Sequence, residues 1–132
     1  MCLHNILGKP EKTSGIGYKV YIQENDTLKT TYCNIYGVFG TIHNTTIELN
    51  RKYKSVKQNE EDGRGKHYKT GFHILLSKKN AVKYRLSMDS CGNLESLVIV
   101  KVQYNEARIK GVENGEIPCI IADEITLLEI VH

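Results

Sequence analysis

Residues 69–84, KTGFHILLSKKNAVKY, constrain the fold more than any other stretch of the chain. The apolar run at 72–76 is too short for a helix and bulky enough for a buried strand. Ser77 then supplies a side-chain oxygen for the free N–H groups of a helix start, and Lys78-Lys79-Asn80-Ala81 follows it, so a helix is expected over about 77–88. Ala81, Tyr84 and Met88 would form one stripe of that helix, with Val82 and Leu86 beside it, and cover the sheet to which 72–76 belongs.

The remaining periodicity is that of strands. Val20 and Ile22 alternate with Lys19 and Tyr21 over 18–23, and a polar turn at 24–27 leads into a second strand at 28–35, which makes a first hairpin. Glycines flank Val38 and Phe39 within 36–40, a pattern suited to a bend, and 45–49 is a further short strand. The run LVIVKV at 97–102 is almost continuously β-branched and is expected at the centre of the sheet. Residues 107–112 and 117–122 flank Asn114-Gly115, a two-residue hairpin signal. Pro118 lacks an amide donor and must lie at an edge or a bulge. A last strand spans 124–131.

Residues 50–69 lose periodicity, and their centre, QNEEDGRGK, offers nothing to a core, so this segment reads as a long basic loop. The Gly-x-Gly pairs at 15–17 and 63–65 also read as loops, because neither opens a helix after a strand. The fold class is therefore α+β: one domain over 1–132, a mostly antiparallel sheet, one principal helix and a long basic loop.

A chain of 132 residues can hold one continuous core, and no stretch is long and apolar enough to span a membrane. The N-terminus has no secretory pattern, so a cytoplasmic location is expected. Cys2, Cys33, Cys91 and Cys119 form no closely spaced pair; reduced, buried thiols are expected, with no metal site, no disulfide and no cofactor. Cys2 would become a terminal nucleophile if Met1 were removed, its amine acting as base, but no oxyanion-stabilising motif accompanies it.

Charge is the most local signal. The net charge is +3, yet 51–69 alone carries +4, with seven basic residues against three acidic ones. Arg51, Lys52, Lys54, Arg64, Lys66, His67, Tyr68 and Lys69 are thus the candidate ligand-binding residues for an anion. Eight tyrosines against two phenylalanines and no tryptophan strengthen a nucleotide-like ligand, since a phenol can stack on a base while Lys and Arg hold phosphates. His73 falls on the opposite face of its strand from Phe72, where a histidine is more often hydrogen-bonded structure than acid, base or ligand.

The Met-Cys-Leu start, Gly17-Tyr18-Lys19-Val20, Gly71-Phe72-His73 before a helix bearing Ala81 and Tyr84, and the final Leu128-Glu129-Ile130 together resemble small bacteriophage and prophage proteins. That resemblance implies an inhibitor or sequestering agent aimed at host defence. The Gly-x-His strand before an Ala-bearing helix is also similar to ADP-ribosyltransferase folds, which implies His73, Tyr18 and Glu129 as catalytic candidates. The expected partner is an anionic, nucleotide-like small molecule, with a host protein as the alternative and nucleic acid behind both. A homodimer or higher even oligomer is expected to cover the apolar strands that one helix leaves bare.

Overall fold

The computed structural model describes residues 3–30, 46–55, 59–87, 96–113 and 116–131. These form β1 (Asn5–Gly8), β2 (Gly15–Glu24), β3 (Thr27–Thr30), β4 (Thr46–Ile47), β5 (Lys52–Lys54), β6 (Asn59–Glu61), β7 (His67–Lys69), β8 (Phe72–Leu75), α1 (Lys78–Ser87), β9 (Leu97–Glu113) and β10 (Ile117–Val131). All pairings among the described residues are antiparallel. The mostly antiparallel sheet and single short helix agree with the sequence reading.

The sheet closes on itself. β9 pairs with β10, β10 with β8, β8 with β2 at Tyr18↔Leu75, and β2 returns to β9 along Gly15–Ile22. The two glycines read as a loop at 15–17 in fact begin β2. A Cβ at Gly17 would lie 2.2 Å from Ile74 Cγ2 and 3.0 Å from the Leu75 carbonyl oxygen, so only glycine lets β2 cross β8 this closely. β2 continues into β3 through Asn25 and Asp26, both at positive φ (48° and 67°), the backbone of a two-residue hairpin turn.

The two strands expected at 97–102 and 107–112 are one continuous β9, and those at 117–122 and 124–131 are one β10. Two register slips bend this long hairpin: Ile121 faces Ile109 and Ala122 faces Ala107, which leaves Arg108 as the extra residue, and a second slip falls between Leu127 and Glu129. Pro118 stands one residue beyond the start of the β8 pairing at Cys119, where no strand among the described residues needs its amide.

Tyr21, Phe72, Ile74, Val100, Val102, Tyr104, Ile120 and Leu127, drawn from all four ring strands, pack as one core. A second cluster, Val20, Leu75, Leu97, Ile99 and Ile117, lies beneath Ala81 and Tyr84 of α1. Ser77 Oγ accepts the Asn80 N–H at 3.1 Å, the N-cap its sequence announced. Val82 and Leu86 do not join the buried stripe, being 40% and 56% exposed, because the ring already covers much of itself and α1 needs to bury only a narrow face. Met88 lies outside the described residues, as do 31–45, with the glycine-flanked 36–40. Val100 and Val102 of β9 and Ile121, Ile125 and Leu127 of β10 are buried within the chain itself.

Within 50–69 the described residues are not structureless. β5 adds to β10 through Tyr53↔Ile125, and β6 and β7 form a separate hairpin. Asp62, within the stretch read as offering nothing to a core, fixes the β6–β7 turn. Its carboxylate accepts the N–H groups of Ile6 (3.1 Å), Arg64 (2.9 Å) and Lys66 (2.8 Å), while Gly63 N–H donates to the His4 carbonyl at 2.8 Å. Burial works to raise the Asp62 pKa, but these donors hold it below the ordinary carboxylate value.

Candidate functional site

Strand register brings three chemically distinct side chains to one face of the ring. His73 of β8 is opposite Ile121, Cys119 of β10 is opposite Gly111 and Leu75, and Glu113 of β9 is opposite Ile117. With a two-residue side-chain period, all three point the same way. They form a polar island between the cluster under α1 and a third apolar cluster of Leu3, Tyr68, Cys119 and Ile121.

The island is sealed: His73 is 5% exposed, Glu113 2% and Cys119 0%. His73 Nδ1 meets Glu113 Oε1, while its Nε2 lies 3.3 Å from Thr70 Oγ1. Cys119 Sγ donates weakly to the Ile120 carbonyl at 3.5 Å. Glu113 Oε2 is buried with no hydrogen-bond partner among the described residues. Such a group is costly to leave alone, so its persistence calls for a reason. Burial pulls the His73 imidazole below its usual pKa, against the opposing pull of Glu113. Burial also pushes the Cys119 thiol well up, and the Glu113 charge adds to that.

Lys19 approaches the same strands from the opposite face. Its ammonium donates to the His73 carbonyl at 2.8 Å and sits 5.9 Å and 6.0 Å from the ring centres of Tyr21 and Phe72. Burial draws its pKa down to about 8, against the attraction of Cys119 and Glu113.

A second group of charges lies at the margin of the core, Asp123 buried and Arg108 partly so. Arg108, turned out by the register slip, grips Asp123 with Nε (2.6 Å) and Nη2 (2.7 Å) and donates to the carbonyls of Lys69 (2.9 Å) and Thr70 (3.0 Å). Ser55 Oγ donates to the same Asp123 carboxylate at 3.1 Å. The ends of β5 and β7 are thus tied to one ion pair, with exposed Lys54 and Lys69 beside it.

The eight binding candidates divide. Lys54, Arg64, Lys66 and Lys69 are exposed. Lys52 is committed to Glu124 at 2.8 Å, Arg51 pairs with Glu48 at 3.5 Å and His67 with Glu61 at 3.3 Å. Tyr68 is buried, its hydroxyl accepting the Leu3 N–H at 2.9 Å. The stacking expectation also weakens, because Tyr21, Tyr68, Tyr84 and Tyr104 are all core residues.

The catalytic candidates do not converge. His73 lies in the sealed island, and Tyr18 is half-buried against the cluster under α1. Glu129 is exposed at Lys101, eight residues along β10 from the partner of His73. At roughly 3.3 Å per residue that is about 26 Å of strand. Cys2, Cys33 and Cys91 lie outside the described residues; Cys119 is a free, buried thiol as expected. Sequence reading missed Glu113, Lys19, Arg108 and Asp123, and no local motif marks them. Among the described residues no helix is long and apolar enough to cross a membrane.

Comparison with family models, with curated proteins and with solved structures found no match.

Proposed function

We propose that the protein is a non-enzymatic binding protein that captures an anionic, phosphorylated ligand of nucleotide type on the rim of Lys54, Arg64, Lys66 and Lys69. The supporting observation is the shared anchor: Arg108–Asp123 fixes the backbone of β7 at Lys69 and the end of β5 at Ser55, so the cations stand on rigid elements. Lys66 and Lys69 are three residues apart on the β6–β7 hairpin, about 10 Å at the strand rise, which suits a ligand with more than one phosphate. In a bacteriophage setting, such capture would remove a nucleotide signal from host defence. The separation of His73 from Glu129 counts against the transferase-like reading.

A thermal-shift panel of linear and cyclic nucleotides tests this. A ligand at 100 times its dissociation constant adds about 2.7 kcal/mol to stability, a rise readily seen in Tm. The shift should shrink with added salt and vanish in Lys54→Glu/Lys69→Glu, and Lys52→Ala should retain most of it. Absence of any shift across the panel overturns the proposal.

A further inference from the structure

We infer that His73, Glu113 and Cys119 form a binding site for one divalent transition-metal ion of zinc type, which would pin β8, β9 and β10 together. One ligand atom from each residue lies within 4.8 Å of the other two. A tetrahedral zinc ion, with bonds of about 2.0–2.3 Å, spaces its donors by roughly 3.3–3.8 Å; the outer spacing of the set is within about 1 Å of that, and His73 Nδ1 and Glu113 Oε1, now in direct contact, would part to admit the ion. Imidazole, carboxylate and thiolate are the donors that zinc takes, and three protein ligands leave a fourth position for water or another donor.

Two further observations point the same way. The first is the orphaned oxygen: Glu113 Oε2 is buried and unpartnered. A cation between the carboxylate, thiol and imidazole would give that atom its partner. The second is the support behind the histidine. A metal at Nδ1 fixes the proton on Nε2, and Nε2 faces the fully buried Thr70 hydroxyl at 3.3 Å. Metal-binding histidines are commonly held by such an outer hydrogen bond, which sets tautomer and ring orientation. Charge agrees as well. A divalent ion with one thiolate, one carboxylate and a neutral imidazole is electrically neutral, the least costly state for an island between two apolar clusters.

Cobalt(II) added to the metal-stripped full chain provides the readout. The expected result is one ion per chain, with an intense thiolate-to-cobalt charge-transfer band and visible bands of tetrahedral character. Cys119→Ser should lose the charge-transfer band, which separates this thiol from the other three. Thr70→Val should weaken binding about 10- to 100-fold, as loss of an outer-shell partner does. Chelator treatment should lower the Tm of the protein as purified, and zinc should restore it. A wild-type chain that takes up no stoichiometric cobalt, or a charge-transfer band unchanged in Cys119→Ser, overturns the inference; the wild-type measurement decides even if a variant fails to fold.

Discussion

Gly17→Ala tests whether the ring closes as described. The added methyl would meet Ile74 Cγ2 at 2.2 Å and the Leu75 carbonyl oxygen at 3.0 Å, with Tyr104 Cδ1 at 3.6 Å behind them. Carbon atoms pack at about 3.5–4.0 Å, so something must give by more than 1 Å against Ile74. Ile74 is fully buried and the second obstacle is backbone, so little of this can be relieved by a rotamer change. Overpacking of this kind costs about 1–3 kcal/mol, and the upper end is expected here. The ordinary gain from Gly→Ala in an extended strand, about 0.4–1 kcal/mol, is too small to offset it. At about 4 °C per kcal/mol for a domain of this size, Tm should fall by roughly 8–12 °C. Ile74→Ala alone should cost about 2–5 kcal/mol by leaving a cavity. The double variant should cost at least ~1 kcal/mol less than the two together, because the new methyl occupies the vacated space. Urea unfolding of the four proteins measures this cycle. Additivity within about 0.5 kcal/mol, or a Gly17→Ala protein as stable as wild type, would refute the close crossing.

Two further outcomes follow from buried charges. Lys19 is held at about 8 against 10.5 in the unfolded chain, so its burial cost is fully in force below pH 8 and fades as pH rises toward 10.5. Wild type should therefore gain stability relative to Lys19→Met between pH 8 and 9.5, with about 3 kcal/mol as a ceiling because the side chain is only partly buried; parallel pH profiles would count against it. Asp62, its pKa depressed by three backbone donors, stabilises the β6–β7 turn above its unfolded value and loses that contribution as pH falls below about 4. Amide exchange at Ile6, Arg64 and Lys66 should accelerate in Asp62→Ala at neutral pH; unchanged protection would show that the carboxylate anchors nothing.

What could be read in advance was what local chemistry decides. Ser77 capped its helix, Asn25-Asp26 turned the first hairpin, and Pro118 found a place where no partner needed its amide. What could not be read was register. A two-residue turn at Asn114-Gly115 pairs Glu113 with Glu116 and sends Cys119 to the opposite face. The observed pairing of Glu113 with Ile117 places Cys119 opposite Gly111, on the same face as Glu113. One residue of offset separates two unrelated side chains from a possible site, and nothing within 113–119 announces it. His73 arrives from a third strand 40 positions upstream of Glu113, beyond any spacing rule. The order inside the basic segment was hidden for a different reason: Asp62 bonds the Ile6 N–H and Gly63 donates to the Leu3 and His4 carbonyls, partners that are distant in sequence.

The order in which strands find partners also bears on how the chain is made. β1 pairs with β9, β5 with β10, and β8 with β10 and β2, while β2 depends on β9 for most of its length. Of the strand pairings among the described residues, the first 96 residues would emerge on a ribosome with only the β2–β3–β4 ribbon, the single β2–β8 contact at Tyr18↔Leu75 and the small β6–β7 hairpin, along with α1. Everything else waits for the C-terminal hairpin, and small ribbons are marginally stable by themselves. During that interval Phe72, Ile74 and Val20 face water. Translation pauses before residue 131, or premature stops anywhere in the last quarter, would thus yield a sticky, protease-sensitive nascent chain instead of a smaller working protein.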